Sequence, residues 1–195
     1  MTKISATKNS GAGTQHGEDR VVFHGSRVDM VLRTVQTTSG QKIQREIVVH
    51  PGAVIILPVL RDGNLVLIRN LRHTVGEELW ELPAGTLEKG EDPARCAERE
   101  LTEETGYRAA EMIPFGWFYT SPGILTEKMF AFIGAGLSAG PQALEDNETI
   151  HVEIVTPERT LAMIRENKIV DAKTIAVVLK YLTAAMKGQG LVGHS

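Results

Sequence analysis

The segment DPARCAERELTEETG, residues 92–106, constrains the fold of this chain more than any other. Asp92 suits a helix N-cap, Pro93 fits the first helical position, and Gly106 is a favoured helix stop. A helix over residues 93–105 follows. On it Glu100, Glu103 and Glu104 fall at i, i+3 and i+4, neighbouring positions of one face. Ala97 and Leu101 lie four apart on another face and can anchor the helix to a core. The chain must therefore provide an apolar layer for one side of this helix while its other side gathers carboxylates that repel each other. A divalent cation reverses the sign of that repulsion, and hard oxygen ligands on a rigid scaffold suit Mg²⁺ or Mn²⁺. Arg99 can orient the carboxylates and balance their charge, with Glu91, just ahead of the helix, as its partner. The competing reading of RELTEE alone is a solvated acidic face, because Glu is a good helix former.

Short apolar segments supply the layer. RVDMVLRTV (27–35) alternates like a strand, TTSGQK turns, and IQREIVVH (43–50) returns. AVIILPVL (53–60) and LVLIRN (65–70) flank RDGN and read as a hairpin, supported by β-branched residues and the Asp-Gly pair. WELPAG carries a short strand into a Pro/Gly loop. EMIPFGWFY, KMFAFIGAGL and TIHVEIV read as further strands. Thr156-Pro157 opens a helix to about Asn167, and a last helix runs from Asp171, through Ile175, Val178, Leu179, Leu182 and Met186, to a stop at Gly188. No repeat is visible, and helices and strands mix without regular βαβ alternation. The expected class is α/β or mixed α+β, with helices flanking a curved mixed sheet. Residues 1–19 are polar and read as a loose tail, 20–50 as an N-terminal antiparallel β extension, 51–188 as the main domain, and 189–195 as a frayed end.

Bulk properties exclude several functions. The chain has 195 residues, a net charge of -3 and one cysteine, Cys96. A disulfide framework is excluded, and a cytoplasmic, reducing setting fits. No global positive field recruits nucleic acid or an anionic membrane. The longest apolar run, Ala53–Leu60, is strand-sized rather than membrane-sized. The six histidines lack metal-ligand spacing, and Cys96 reads as a packing residue. There is no Gly-x-Ser-x-Gly elbow, P-loop or dinucleotide-binding glycine fingerprint.

Spacing across a longer window adds to the reading of the helix. Gly85, five residues, Glu91, seven residues, then Arg99-Glu100-Leu101-x-Glu103-Glu104-x-Gly106-Tyr107 resembles the Nudix box at every charged and glycine position. Tyr107 stands where that pattern usually has an aliphatic residue. The resemblance implies an α/β/α sandwich over residues 51–188 and hydrolysis of a nucleoside diphosphate linked to another group. It implies Glu100 and Glu104 as the main metal ligands, Glu103 assisting them, and the carbonyl of Ala84 within reach of a metal. Cations would neutralise the diphosphate, orient it and lower the pKa of a water.

Other segments narrow the resemblance. Pro122 lies fifteen residues after Tyr107, and REIVVHPGAV, LIRNLRHTVGEELWELPAG, SPGxxxE and DAKTIAVVLKYL are similar to the ADP-ribose pyrophosphatase subgroup. That subgroup implies phosphate contacts from Arg45 and Arg72, a substrate loop around Pro122 and Gly123, and Glu127 at a ribose hydroxyl. Surface ion pairs are the competing reading for Arg45, Arg72 and Glu127. It also implies a general base on the loop ALEDNETI, with Glu148 first and Asp146 and Glu145 behind it, and N-terminal strands that cross to a partner to make a homodimer. Trp117, Phe118, Tyr119 and Phe23 are candidates for an adenine clamp but are assigned mainly to the core. The implied substrate is a small nucleoside diphosphate sugar, ADP-ribose first and GDP-mannose as the alternative, with no nucleic acid or membrane partner. A non-catalytic ADP-ribose sensor is the competitor from another class.

Overall fold

The computed structural model describes residues 19–144 and 148–186. It divides into two compact units, one taking the chain through His50 with Gly123–Leu125, the other the remainder. The first unit is an antiparallel sheet in the order β1-β2-β3, from β1 (Asp19–His24), β2 (Asp29–Gln36) and β3 (Lys42–Val49). The sequence pattern anticipates β2 and β3. It does not single out β1, whose VVF is a short apolar run following a polar segment. Asp19 opens β1 and accepts both ends of an Arg33 fork at 2.7 Å across the β1–β2 ladder. All six β1 residues are exposed.

The second unit contains β4 (Ala53–Pro58), β5 (Leu65–Arg72), β6 (Glu77–Glu81), β7 (Ala84–Thr86), α1 (Pro93–Thr105), β8 (Tyr107–Arg108), β9 (Glu111–Tyr119), β10 (Lys128–Ala135), β11 (Ser138–Ala139), β12 (Ile150–Val155), α2 (Pro157–Arg165) and α3 (Ala172–Met186). A mixed sheet runs β7-β4-β10-β9, with β4 and β10 parallel. A second, antiparallel sheet runs β12-β5-β6.

The expected β4–β5 hairpin is not formed. The turn exists: Leu60 N–H donates to Asn64 O at 2.9 Å, and Gly63 takes φ 83°. Beyond one bridge, Val59 to Leu65, the two strands go to different sheets. Their composition explains it. β4 is buried at every position, and β5 at Leu65, Val66, Leu67 and Ile68. Strands apolar on both faces want neighbours on both edges and cover above and below, so each becomes the centre of its own sheet.

β4 shows how the layers form. Its alternate residues Val54 and Ile56 join Leu87, Cys96, Ala97, Leu101 and Phe132 beneath α1. Ile55 and Leu57 face the opposite cluster, with Leu65, Leu67, Ile133, Met163, Ile169, Val177 and Val178. One helix therefore lies on one face of the mixed sheet, while the second sheet, α2 and α3 contribute to the other cluster. This is the helix-flanked mixed architecture that the sequence implies.

The caps of α1 are as expected. Asp92 Oδ1 accepts from the N–H groups of Ala94 and Arg95, at 2.9 and 3.3 Å. Gly106 ends the helix at φ 73°, its N–H donating to Thr102 O; a Cβ there would lie 2.3 Å from Gly140 O, so only glycine fits. Among the described residues no helix is long and apolar enough to cross a membrane.

Leu101 is fully buried between α1 and the mixed sheet. Leu101→Ala should cost about 2–5 kcal/mol of stability, the range for a truncated core leucine. A urea titration checks this: an unshifted midpoint would show that α1 is not anchored there.

Candidate active site

The sequence WELPAG builds one wall of the site, residue by residue. Leu82 is fully buried, and its N–H donates to Thr174 Oγ1 at 2.8 Å. Pro83 O accepts from Ile56 N–H at 2.9 Å, tying the segment to β4. Ala84 N–H donates to Glu104 Oε2 at 2.9 Å. Gly85 passes so close to Glu100 that a Cβ would lie 1.9 Å from its carboxylate. Here glycine serves close approach rather than an unusual φ.

The opposite wall is α1. Its geometry gathers Glu100, Glu103 and Glu104 around Arg99 and the β7 backbone. Arg99 grips Glu91 with a fork, Nε to Oε1 at 3.1 Å and Nη2 to Oε2 at 3.2 Å. Its Nη1 reaches Glu100 at 2.7 Å and Glu103 at 3.0 Å. The expected Arg99–Glu91 pairing is therefore present. It holds the Glu91 carboxyl down at about 2, chiefly through the Arg99 hydrogen bond, and Arg99 itself is raised by the same partner.

Burial opposes the charge on the other acids. Glu104 is 3% exposed, and desolvation pushes its pKa well above the usual carboxylate range, with Glu100 and Glu148 adding repulsion. The Ala84 N–H and the Arg72 charge pull the other way. Glu100 is also raised, first by burial and then by Glu103 and Glu148, against the opposing pull of Arg99. Glu148 thus stands close enough to Glu100 and Glu104 for its charge to act on both. Glu145 and Asp146 lie outside the described residues.

This donor set fits a hard divalent cation. Two desolvated carboxylates and a third, more exposed one share one face of α1, where a positive ion would offset both burial and mutual repulsion. Among the described residues no three acids, histidines or cysteines stand as a ready-made cage; Arg99 is interposed between Glu100 and Glu103. A cation held by Glu100 and Glu103 would have to compete with the guanidinium for those oxygens. Ala84 engages the cluster through its N–H. A cavity of about 500 Å³ lies beside α1, lined by Arg99, Glu103, Thr102 and Arg108 among others.

With this geometry in view, the comparisons are decisive. The NUDIX domain family model matches residues 49–177. The chain belongs to the Nudix family. It is 38% identical over 163 residues to an ADP-ribose pyrophosphatase of Bacillus subtilis (strain 168), covering 83% of this chain and 88% of that one. It is 37% identical, with the same coverage, to a methanol dehydrogenase activator of Bacillus methanolicus. The fold matches the crystal structure of an ADP compounds hydrolase with a TM-score of 0.79 at 19% identity, covering 95% of this chain and 100% of that one. As a Nudix hydrolase it acts on pyrophosphate bonds.

The remaining sequence candidates of this Nudix chain fall in different places. Arg72 forks onto Glu81, Nε to Oε1 at 2.8 Å and Nη2 to Oε2 at 2.5 Å, and its field reaches Glu104. Pro122 is exposed, and Glu127 accepts from Thr120 Oγ1 at 2.5 Å. Arg45 and Gly123 belong to the first unit, where Arg45 is exposed on β3. Arg69, also on β5, makes surface ion pairs with Glu78 and Glu153 at 2.8 and 3.1 Å.

Three of the four aromatics correct the assignment to the core. Trp117 and Tyr119 are exposed on β9, stacked edge to face at 5.5 Å, with Lys128 Nζ 4.1 Å from the indole centroid. Phe23 is exposed too, and only Phe118 packs against the core. Strand alternation on the sheet edge turns Trp117 and Tyr119 the same way and Phe118 the other. Cys96 is the packing residue expected, fully buried, its thiol pushed up to about 12 mainly by desolvation. Sequence reasoning missed Glu81, Lys173 and Asp171. A charged residue at 81, inside an otherwise apolar ELPAG run, was the available signal.

Gly85→Ala tests the close approach. The added methyl must displace Glu100, and kcat should fall by about 100-fold, the scale for an ångström-sized misplacement, with little change in far-UV circular dichroism. Activity within twofold of the parent would show that Glu100 tolerates the shift.

Proposed function

We propose that the protein hydrolyses ADP-ribose to AMP and ribose 5-phosphate with Mg²⁺ or Mn²⁺ as its cation. The observation that carries this is the set Glu100, Glu103 and Glu104, gathered by Arg99 and the β7 backbone on a buried floor. Similarity to the Bacillus subtilis ADP-ribose pyrophosphatase over most of both chains directs the substrate choice.

In this reading Glu100 and Glu104 hold the cation, and Glu103 assists from its more exposed position. When bound, the cation supplies charge neutralisation at the diphosphate and Lewis acidity. The protein's own residues do the rest. Ala84 N–H holds Glu104, and Arg99 holds Glu100 and Glu103, in place before substrate arrives. Arg72, its fork taken by Glu81, offers a fixed positive charge and its remaining guanidinium edge to phosphate oxygens. Glu148 is the general base; its loop position lets it approach the attacking water as substrate binds. Glu145 and Asp146 are its alternatives. Glu127 receives a ribose hydroxyl, Pro122 and Gly123 shape the loop ahead of it, and Arg45 adds a second phosphate contact. The exposed β1 edge and its apolar Val21, Val22 and Phe23 support a homodimer built through the N-terminal sheet.

The experiment is a panel of ADP-ribose, ADP-glucose, GDP-mannose, NADH and diadenosine polyphosphates, each with Mg²⁺, Mn²⁺ or EDTA. Cation-dependent release of AMP, fastest from ADP-ribose, is expected. A different fastest substrate would overturn the ADP-ribose reading while keeping the chemistry. No turnover with ADP-ribose still bound would favour a sensor.

Glu104→Gln keeps shape and removes charge. It should lower kcat by about 10²–10³-fold, as for loss of a group that stabilises transition-state charge, while thermal unfolding stays cooperative. Parent-like turnover would remove Glu104 from the ligand set.

A further inference from the structure

Glu81 is a carboxylate with 1% side-chain exposure, outside the acidic helix. Burying such a group is costly unless it is paired and hydrogen-bonded. Here it is paired twice. Arg72 takes both oxygens with a fork, and Lys173 Nζ reaches Oε2 at 3.2 Å. Lys173 is itself fixed by Asp171 Oδ1 at 2.6 Å, while Asp171 Oδ2 caps α3 by accepting from Thr174 N–H at 3.0 Å. Thr174 Oγ1 then accepts from Leu82 N–H, next to Glu81. Two cations and two carboxylates on β5, β6 and the start of α3 form a closed, neutral group.

The group is asymmetric. Glu81 is sealed, but the Arg72 side chain is 36% exposed. The fork uses Nε and Nη2, so the Nη1 edge of the guanidinium takes no part in it. Arg72 also stands near enough to Glu104 for its charge to act there. Cross-strand register does not produce this pairing: Arg72 is opposite Glu77, and Glu81 opposite Ile68. The arginine thus bonds a buried acid rather than the one opposite it in the ladder.

We infer that Glu81, locked by Lys173, is a positioning residue that fixes Arg72 beside the carboxylate cluster, leaving its Nη1 edge to receive the diphosphate of a nucleoside diphosphate substrate. This rests on the function proposed above. A guanidinium held in place before binding loses less side-chain freedom when substrate arrives, so the effect is on affinity. The contact is made equally with bound substrate and transition state, and therefore appears in KM rather than kcat.

The test compares the parent with Glu81→Gln, Arg72→Ala and the double variant. It reads KM and kcat for ADP-ribose with Mg²⁺, and the Kd of α,β-methylene ADP-ribose by calorimetry. Glu81→Gln should raise KM and Kd by about tenfold with kcat changed by less than about threefold, and the double variant should bind no more weakly than Arg72→Ala alone. Glu81→Asp, which keeps the charge but shortens the reach to Arg72, should show the same split and serves if Glu81→Gln does not fold. An unchanged Kd with fewer binding sites, or full additivity in the double variant, would overturn the positioning role. A parent that binds the analogue but does not turn over ADP-ribose would overturn the catalytic reading and leave the Kd comparison to decide the role of Glu81. A parent that binds neither would overturn both.

Discussion

Glu104 accepts a hydrogen bond from the Ala84 N–H while only 3% of its surface meets solvent. That contact joins the C-terminal turn of α1 to β7, and much of the structure serves to make it. The helix must be capped at Asp92 and stopped at Gly106 so that Glu104 falls in its final turn. Ala97, Leu101 and Cys96 must press α1 onto the mixed sheet. β7 must pair with β4 to present its backbone, and Gly85 must lack a side chain so that Glu100 can share the space. Remove any of these and the carboxylate is either solvated or buried without a partner, and both states are poor places for a cation.

Arg99 resolves the conflict that this burial creates. Three carboxylates on one helical face destabilise it, and desolvation magnifies the effect. A single guanidinium, anchored by the fork from Glu91, spreads its charge over Glu100 and Glu103. Arginine suits this work because its donors lie in a plane and it never loses its proton. Glu91 lies ahead of the helix, so the fixed spacing between it and Arg99 is a geometric requirement of the fork. The glycine at 85 is likewise required by the position of Glu100.

These requirements explain what was legible in the sequence. Caps, helical spacing and the Glu91–Arg99 interval are local, and the structure shows the caps and that pair as expected. β2, β3, β9, β10 and β12 were visible as polarity patterns for the same reason. Long-range choices were not. The turn at residues 61–64 has the composition of a hairpin turn, but which neighbours β4 and β5 take depends on covering two apolar faces, which no short window records. Trp117 and Tyr119 are exposed because they share the face of β9 turned away from the core, and which face is covered is decided by tertiary packing. Glu81 finds Arg72 outside the cross-strand register and Lys173 some ninety residues on. Pairing rules read along the chain therefore could not reach it.

The two arginines near the acids divide the electrostatic work. Arg99 has its fork on Glu91 and its remaining edge on the cluster, so its charge is spent inside the protein. Arg72 has its fork on Glu81, and that pair lies with Lys173 and Asp171 in a neutral group; in the proposed role its remaining edge would offer an anion a fixed donor. One guanidinium stabilises carboxylates that must stay together; the other is held still by a carboxylate that substrate cannot reach. Exchanging the two arrangements would fail. In the proposed function, an exposed partner on Arg72 would move with solvent and compete with phosphate, and a fully enclosed Arg99 would bar a cation from Glu100 and Glu103. Glu103 is the more exposed of the two helix acids that Arg99 bonds, 38% against 12% for Glu100.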